Sequence, residues 1–388
     1  MKPKERIDEI NLVRAFAIIG VLMVHSTSNA VTETLESSLY PLYNFANIFF
    51  KFGTPTFILL SSLVLFYTYY DRPLDRHLIG SFYKKRLMYI LLPYLVFSTG
   101  YFLLLHFLYY PSRSLEDTLY SYTTKLLTGK AYAHLYFVFI SVQFYVLFPL
   151  LLFAFKRWAR LTKWLIPIGF AVQWGFVLLN HYWLSVPNKG SWAFSYFAYY
   201  FTGAFFGIHF DRIREWLKPS VAKLKSWRAP TWALLWAGWL GFGLGHVWIW
   251  YLARHDGRWF NSLWYELLWN LHTFFTALVL IQIAFMLRQW NKDALVVRLF
   301  NHLGIMSFGI YLIHPLFLLV YRQFPVSAHP WFHLWYAGGF VLALTLSWLV
   351  VTLTFRFIPH AWIIFGNAPA KYVGRPKPVA DPALPVGR

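Results

Sequence analysis

The chain has 388 residues, 58% of them hydrophobic and only 13% charged, about half the charged content of an average soluble domain, which excludes a soluble globular protein and makes this a membrane protein. Its formal charge of +20 does not indicate nucleic acid, because the Lys and Arg residues lie in short segments between apolar runs, where membrane topology accounts for them. The absence of Cys excludes disulfides, a thiol nucleophile and a Cys-ligated metal, and the 20 Trp and 26 Tyr suit rings placed at bilayer interfaces.

Stretches near the roughly 20 helical residues needed to cross a hydrocarbon core are predicted at 10–30, 45–69, 87–109, 134–155, 162–182, 191–209, 230–252, 264–288, 300–321 and 332–355. The fold class is therefore all-α, with about ten transmembrane helices and an even number of crossings. Counting Lys and Arg on alternate sides places 26 on the side of the two termini and 7 on the other, with Arg14 and Lys51 assigned to spans. Both termini are predicted cytoplasmic by that bias. One membrane domain over 1–365 is expected, followed by a Pro-rich, disordered cytoplasmic tail over 366–388. The first run is not expected to be a cleaved signal, since it holds Arg14 and His25 and further spans follow.

Arg14 and His25 are the two ionisable side chains of the first run, with ten residues between them. Eleven steps of about 100° return to the same face with a drift of roughly 20°, and they separate the two groups by about 16 Å along the axis. Ionisable groups inside a membrane are costly and mark function. Snorkelling of a long stem would also account for Arg14, but a short imidazole has no such escape. With helix 1 running outward, Arg14 lies near the cytoplasm and His25 near the outer face. Lys84, Lys85 and Arg86 precede the third span on the cytoplasmic side, where topology alone also favours cations. In the eighth span Glu266, Asn270 and Thr273 fall at i, i+4 and i+7, at its outer start. Ser307, Tyr311 and His314 repeat that pattern in the ninth, where Pro315 withdraws a backbone donor and favours a cavity wall. His134, His246 and His272 sit in or beside spans at spacings that match no metal motif. No metal is expected.

The segment INLVRAFAIIGVLMVHSTS resembles the opening helix of the acyltransferase 3 family of integral membrane O-acyltransferases, which carries Arg and His with ten residues between. Further segments resemble that family in order: GTPTFILLSSLVLF, FYKKRLMYILLPYL with Arg86 on the recurrent Arg, HLYFVFISVQFYVLFPLLL, and MSFGIYLIHPL. Two departures stand out. Asn11 occupies a position that is acidic in many members, and Ser141 and Val142 stand where one branch carries paired Glu before Gln-Phe-Tyr. The chain is thus nearer the branch of polysaccharide-modifying acetyl and succinyl transferases, as a multi-pass protein of the cell membrane.

The resemblance implies transfer of an acyl group from cytoplasmic acyl-CoA to a hydroxyl of a cell-surface or lipid-linked carbohydrate. Such chemistry needs a base, oxyanion donors and a seat for an anionic donor. A neutral imidazole at His25 offers the acceptor nitrogen of a base. Arg14, Lys85 and Arg86 provide the basic vestibule that concentrates a phosphate-bearing coenzyme. Glu266, Asn270, Ser307, Tyr311 and His314 are expected to support the acceptor and the base. Acyl-CoA is expected as donor substrate and not as a resident cofactor, with the lipid bilayer and a carbohydrate as the other partners and no nucleic acid. The rival reading is a transporter or flippase of a glycan or glycolipid, which often shows inverted repeats and paired broken helices. A non-catalytic scaffold is a third.

Overall fold

The computed structural model describes residues 4–218, 228–326 and 331–367, all in helices and connecting loops. From residue 368 the predicted tail lies outside the described residues. In chain order the helices are α1 (Glu9–Ser26), α2 (Ala30–Glu33), α3 (Tyr40–Phe49), α4 (Gly53–Tyr69), α5 (Arg76–Arg86), α6 (Leu92–Tyr109), α7 (Leu115–Thr128), α8 (Tyr136–Arg157), α9 (Leu165–Leu179), α10 (Phe197–Ile208) and α11 (Phe210–Leu217). After the undescribed stretch follow α12 (Arg228–Arg254), α13 (Ser262–Asn291), α14 (Leu295–Tyr321), α15 (Trp331–Phe357) and the short α16 (Trp362–Phe365).

Nine helical stretches among the described residues are long and apolar enough to cross a membrane. They coincide with nine of the predicted spans. The tenth, predicted over 191–209, is instead the 12-residue α10, entered through two tight turns at Lys189–Ser191 and Ala193–Tyr196. Polar contacts show that it crosses nonetheless. On one face Arg214 meets Glu5, Arg288 meets Asp8 and Glu9, and His209 meets Thr162. On the opposite face Lys189 meets Glu266, Arg254 meets Asn44 and Asn47, and Tyr336 meets Glu33. Among the described residues the chain thus passes from the face of Lys189 to the face of His209, which makes α10 a tenth crossing beside the nine long helices. A short helix suffices because α10 is buried almost throughout, so its irregular ends are satisfied by protein and not exposed to lipid.

Close backbone approach explains how α10 is buried. Gly203 and Gly207 form a G-x-x-x-G pair on the face turned to α4, and a Cβ on either would stand 2.2 Å from the Leu59 carbonyl oxygen or 2.4 Å from that of Leu63. Between them Ser62 donates to the Tyr200 carbonyl at 2.5 Å. Small residues let two helices meet backbone to backbone where lipid removes the hydrophobic drive to associate. Ser62 thus supplies a hydrogen bond at the same seam.

Two irregularities shape the outer half. The predicted span 45–69 is broken at Phe50–Phe52 into α3 and α4. The loop expected between the third and fourth spans contains α7, which folds back along α6, with Tyr94 donating to the Leu126 carbonyl and Thr99 meeting Tyr122 at 2.7 Å. Gly129 closes α7 in the left-handed region at φ 70°, a conformation that favours Gly. The following turn then carries His134 to a fully buried position.

A Cβ placed at Gly207 must displace backbone, so Gly207→Ala is expected to cost about 1–3 kcal/mol, the range for overpacking. Gly100, which has no heavy atom near a built Cβ, provides the control. Thermal denaturation in a mild detergent checks this: Gly207→Ala lowers the midpoint and Gly100→Ala does not.

Candidate active site

Helix α1 lies in parallel against α14. Their closest approach is at Gly304, where a Cβ would stand 1.7 Å from the Asn11 carbonyl oxygen, and the Asn11 amide donates to Asn301 Oδ1 at 2.9 Å. That contact sets the register of the two predicted seams. Higher up, the rings of His25 and His314 meet at 5.2 Å. His314 in turn meets the ring of His134 at 5.6 Å, and His134 meets Tyr311 at 5.2 Å. Ser307 is buried one turn below Tyr311. The structure therefore brings His25, Ser307, Tyr311 and His314 to one wall and adds His134, whose spacing gave no clue because it arrives from the turn after α7.

Hydrogen bonds fix the proton positions in this group. A carbonyl oxygen only accepts, so His314 carries its proton on Nδ1, which donates to the Ile310 carbonyl at 3.1 Å. His134 carries its proton on Nε2, which donates to the Leu312 carbonyl at 3.2 Å. Tyr101 donates to that same carbonyl at 2.9 Å, and Tyr311 donates to the carbonyl of His134. The opposite nitrogens, His314 Nε2 and His134 Nδ1, are buried without a partner among the described residues. Two acceptor nitrogens thus stand ready for a donor. Pro315 cannot donate to the Tyr311 carbonyl, one residue before the Leu312 carbonyl that Tyr101 and His134 use. His25 is only partly buried, and its peptide carbonyl accepts from Arg322 Nη2 at 2.6 Å, with Ser28 Oγ at 3.2 Å from the same atom. Arg322, the first residue past α14, thereby ties the outer end of α1.

At the inner end Arg14 and Asn11 line an open cavity of about 570 Å³, whose other walls carry the cations Lys4, Arg6 and Arg72 against the acids Glu5 and Asp71, the latter paired with Lys4. No carboxylate of the described residues lies within ion-pair distance of Arg14. Arg86 approaches from α5, its guanidinium over the rings of Tyr145 at 4.9 Å and Phe82 at 5.3 Å. A turn of π-helix at Leu87–Leu91 follows it directly, an irregularity common at functional sites. Lys85 is exposed on α5 and stands outside the cavity wall.

Glu266 and Asn270 belong to a separate cluster at the outer face. Glu266 pairs with Lys189 at 2.7 Å rather than with a histidine. Asn270 donates to the Glu266 carbonyl at 2.9 Å and accepts from Gln173, and Tyr199 meets Thr273 at 2.6 Å. Gln143, which follows the Ser141–Val142 departure, donates to the Ser191 carbonyl at 2.8 Å and accepts from the Ala193 amide at 3.0 Å. It therefore holds the loop that presents Lys189. Lys189 and Glu266 line a second open cavity of about 270 Å³ together with Lys51, Trp250 and Tyr265. Among the described residues no three His, Asp or Glu side chains gather as a metal set.

Comparison with known proteins agrees with this architecture. A family model for the acyltransferase domain of the acyltransferase 3 group matches residues 7–352. The chain belongs to that family and is a multi-pass membrane protein. Among curated proteins it is similar to a "Probable poly-beta-1,6-N-acetyl-D-glucosamine export protein" of Staphylococcus aureus strain MRSA252, 25% identical over 226 residues, which cover 54% of this chain and 59% of that protein. Proteins of the same name from strains MSSA476 and MW2 are 24% identical over the same length. The match thus spans about three fifths of the length of these relatives. No solved structure matches the chain significantly.

Removing the Arg322 guanidinium takes the charged one of two donors from the His25 carbonyl, leaving the Ser28 hydroxyl at 2.9 Å, and a charge-assisted hydrogen bond contributes about 1.5–3 kcal/mol. Arg322→Ala is therefore expected to speed amide hydrogen exchange over residues 24–28 by about tenfold or more. Arg113→Ala, on the peripheral α7 loop, leaves those amides unchanged.

Proposed function

We propose that the protein transfers an acyl group, of the acetyl or succinyl class, from cytoplasmic acyl-CoA to a hydroxyl of a carbohydrate at or beyond the outer face of the cell membrane. The observation that carries this reading is the placement of a free cation and a histidine cluster at the two ends of one helix face. Arg14 opens to the basic inner cavity, and His25 meets His314 toward the outer side. About 16 Å of helix separates them, a span comparable with the extended pantetheine arm of coenzyme A. The nucleotide phosphates would then rest on Arg14 and Arg86 while the thioester reaches His25.

In the proposed reaction His25 accepts the proton of the attacking hydroxyl as its oxygen bonds the thioester carbonyl carbon. Collapse of the tetrahedral adduct breaks the carbon–sulfur bond, and the imidazolium returns the proton to the departing thiolate. The unpartnered Nε2 of His314 and Nδ1 of His134 offer resting places for that proton within the same cluster. Glu266 and Asn270 support acceptor binding from the outer cavity. The similarity to proteins named for poly-N-acetylglucosamine export supports a polysaccharide context. It also keeps export as a rival use of two cavities that open on opposite faces.

Labelled acetyl-CoA or succinyl-CoA supplied to inside-out vesicles, followed by extraction of surface glycan, tests the reading. His25→Ala is expected to reduce incorporation by about 10²-fold or more, the contribution of a positioned base. Equal label in wild type and His25→Ala would sink the assignment. Surface glycan that vanishes in a deletion strain, instead of persisting without its ester, would favour export.

Arg14→Gln is expected to raise KM for acyl-CoA about tenfold or more, since it removes one charge-assisted phosphate contact. Arg86→Gln acts in the same direction. A fall in kcat at unchanged KM would place Arg14 elsewhere in the cycle.

A further inference from the structure

The outer cavity holds charge that its own residues do not balance. Lys51 sits at the break between α3 and α4, within a 30-residue apolar stretch. Its ammonium lies 4.9 Å from the centre of the Trp250 ring, and the Arg254 guanidinium lies 4.7 Å from the same indole. Arg254 donates only to the neutral side chains of Asn44 and Asn47. Neither cation is within ion-pair distance of a carboxylate among the described residues. Glu266 is the one acid lining the cavity, and Lys189 occupies it.

His246 does not compensate. Its Nε2 accepts from Trp250 Nε1 at 3.2 Å, and its Nδ1 faces His272 Nδ1 at 3.2 Å, a pair in which one nitrogen must lack a proton. Two like charges over one ring, both half-buried, repel each other and would be relieved by a counter-charge. The cavity is open to the outside, walled by the rings of Trp250, Tyr265 and Trp269, and of a size for a single sugar unit.

We propose that this cavity is an acceptor subsite for an acidic sugar, a pyranose bearing a carboxylate or a phosphate, with Lys51 as the cation that reads the negative group. The inference rests on the acyl-transfer reading for the word acceptor, but the binding preference stands apart from transfer. Tyr196 also lines the wall of the cavity.

The experiment titrates full-length protein, in nanodiscs of a zwitterionic lipid, with methyl glucuronide, phosphorylated methyl glucoside, neutral methyl glucoside and inorganic phosphate, following tryptophan fluorescence and calorimetric heat. Wild type is expected to bind at least one acidic glycoside about tenfold or more tightly than the neutral one, and the tighter of the two identifies the anion. Lys51→Gln is expected to erase the preference, Lys51→Arg to keep it, and His25→Ala to keep it while losing transfer. Affinities for acidic and neutral glycosides within about twofold of each other in wild type would overturn the proposal, as would a preference that survives Lys51→Gln. Binding of inorganic phosphate as tight as that of the phosphorylated glucoside would overturn the sugar in it. If acyl transfer fails in vesicles while the titration succeeds, the reaction assignment falls and the acidic-sugar site remains.

Discussion

The contact of Asn11 with Gly304 is the constraint on which the site depends. Only a residue without Cβ lets α14 reach the backbone of α1 so closely, and in lipid such contact supplies the packing that water would otherwise drive. Because the two helices run the same way, fixing Asn11 beside Gly304 and Asn301 aligns everything above it. The face carrying Arg14 and His25 then meets the face carrying Ser307, Tyr311 and His314. A shift of one turn, about 5.4 Å, would separate His25 from His314. The Arg322 bond to the His25 carbonyl closes the same pair of helices at its outer end, so the register is held from both sides.

Much of this was legible in the sequence, for reasons that are physical. Apolar runs of bilayer length report on the membrane itself, and nine of the ten spans they predicted coincide with long apolar helices among the described residues. Helical periodicity placed Arg14 with His25 and Tyr311 with His314 because each pair shares one helix. What was not legible depends on contacts between distant segments. The span at 191–209 looked like the others, but Gly203 and Gly207 acquire meaning only when Leu59 and Leu63 of α4 lie against them. His134 seemed an isolated histidine, and its place depends on α7 folding back along α6. Lys189 counted as a loop cation until Gln143 fixed its loop beside Glu266.

The same physics governs how the polar groups within the helices are satisfied. A hydroxyl, amide or imidazole in hydrocarbon must find a partner or line water. Most here do so by local means, such as Ser141 to the Phe137 carbonyl at 3.0 Å and Thr202 to the Ala198 carbonyl at 2.7 Å. The exceptions are spread through the helices, Tyr40, Trp232 and Thr352 among them, but they include His314 Nε2 and His134 Nδ1 of the histidine cluster. Arg14 and Lys51, which line the inner and outer cavities, lie beyond ion-pair distance of any carboxylate among the described residues, and there a substrate would supply what the protein withholds.

The departure at position 11 sharpens that point. Position 11 lies three residues before Arg14, one turn away on a neighbouring part of the same helix face, where a carboxylate would be placed to neutralise the guanidinium. Asn11 removes that charge, and its amide is committed to Asn301 instead. Asn11 locks α1 to α14 and places no carboxylate beside Arg14. Arg14 is left to face the inner cavity as an uncompensated cation. For an anionic donor arriving from that side, a free guanidinium is a stronger attractor than one already paired. The same substitution means that no carboxylate on α1 orients His25, and the structure assigns that task to packing against His314 and to the tether from Arg322.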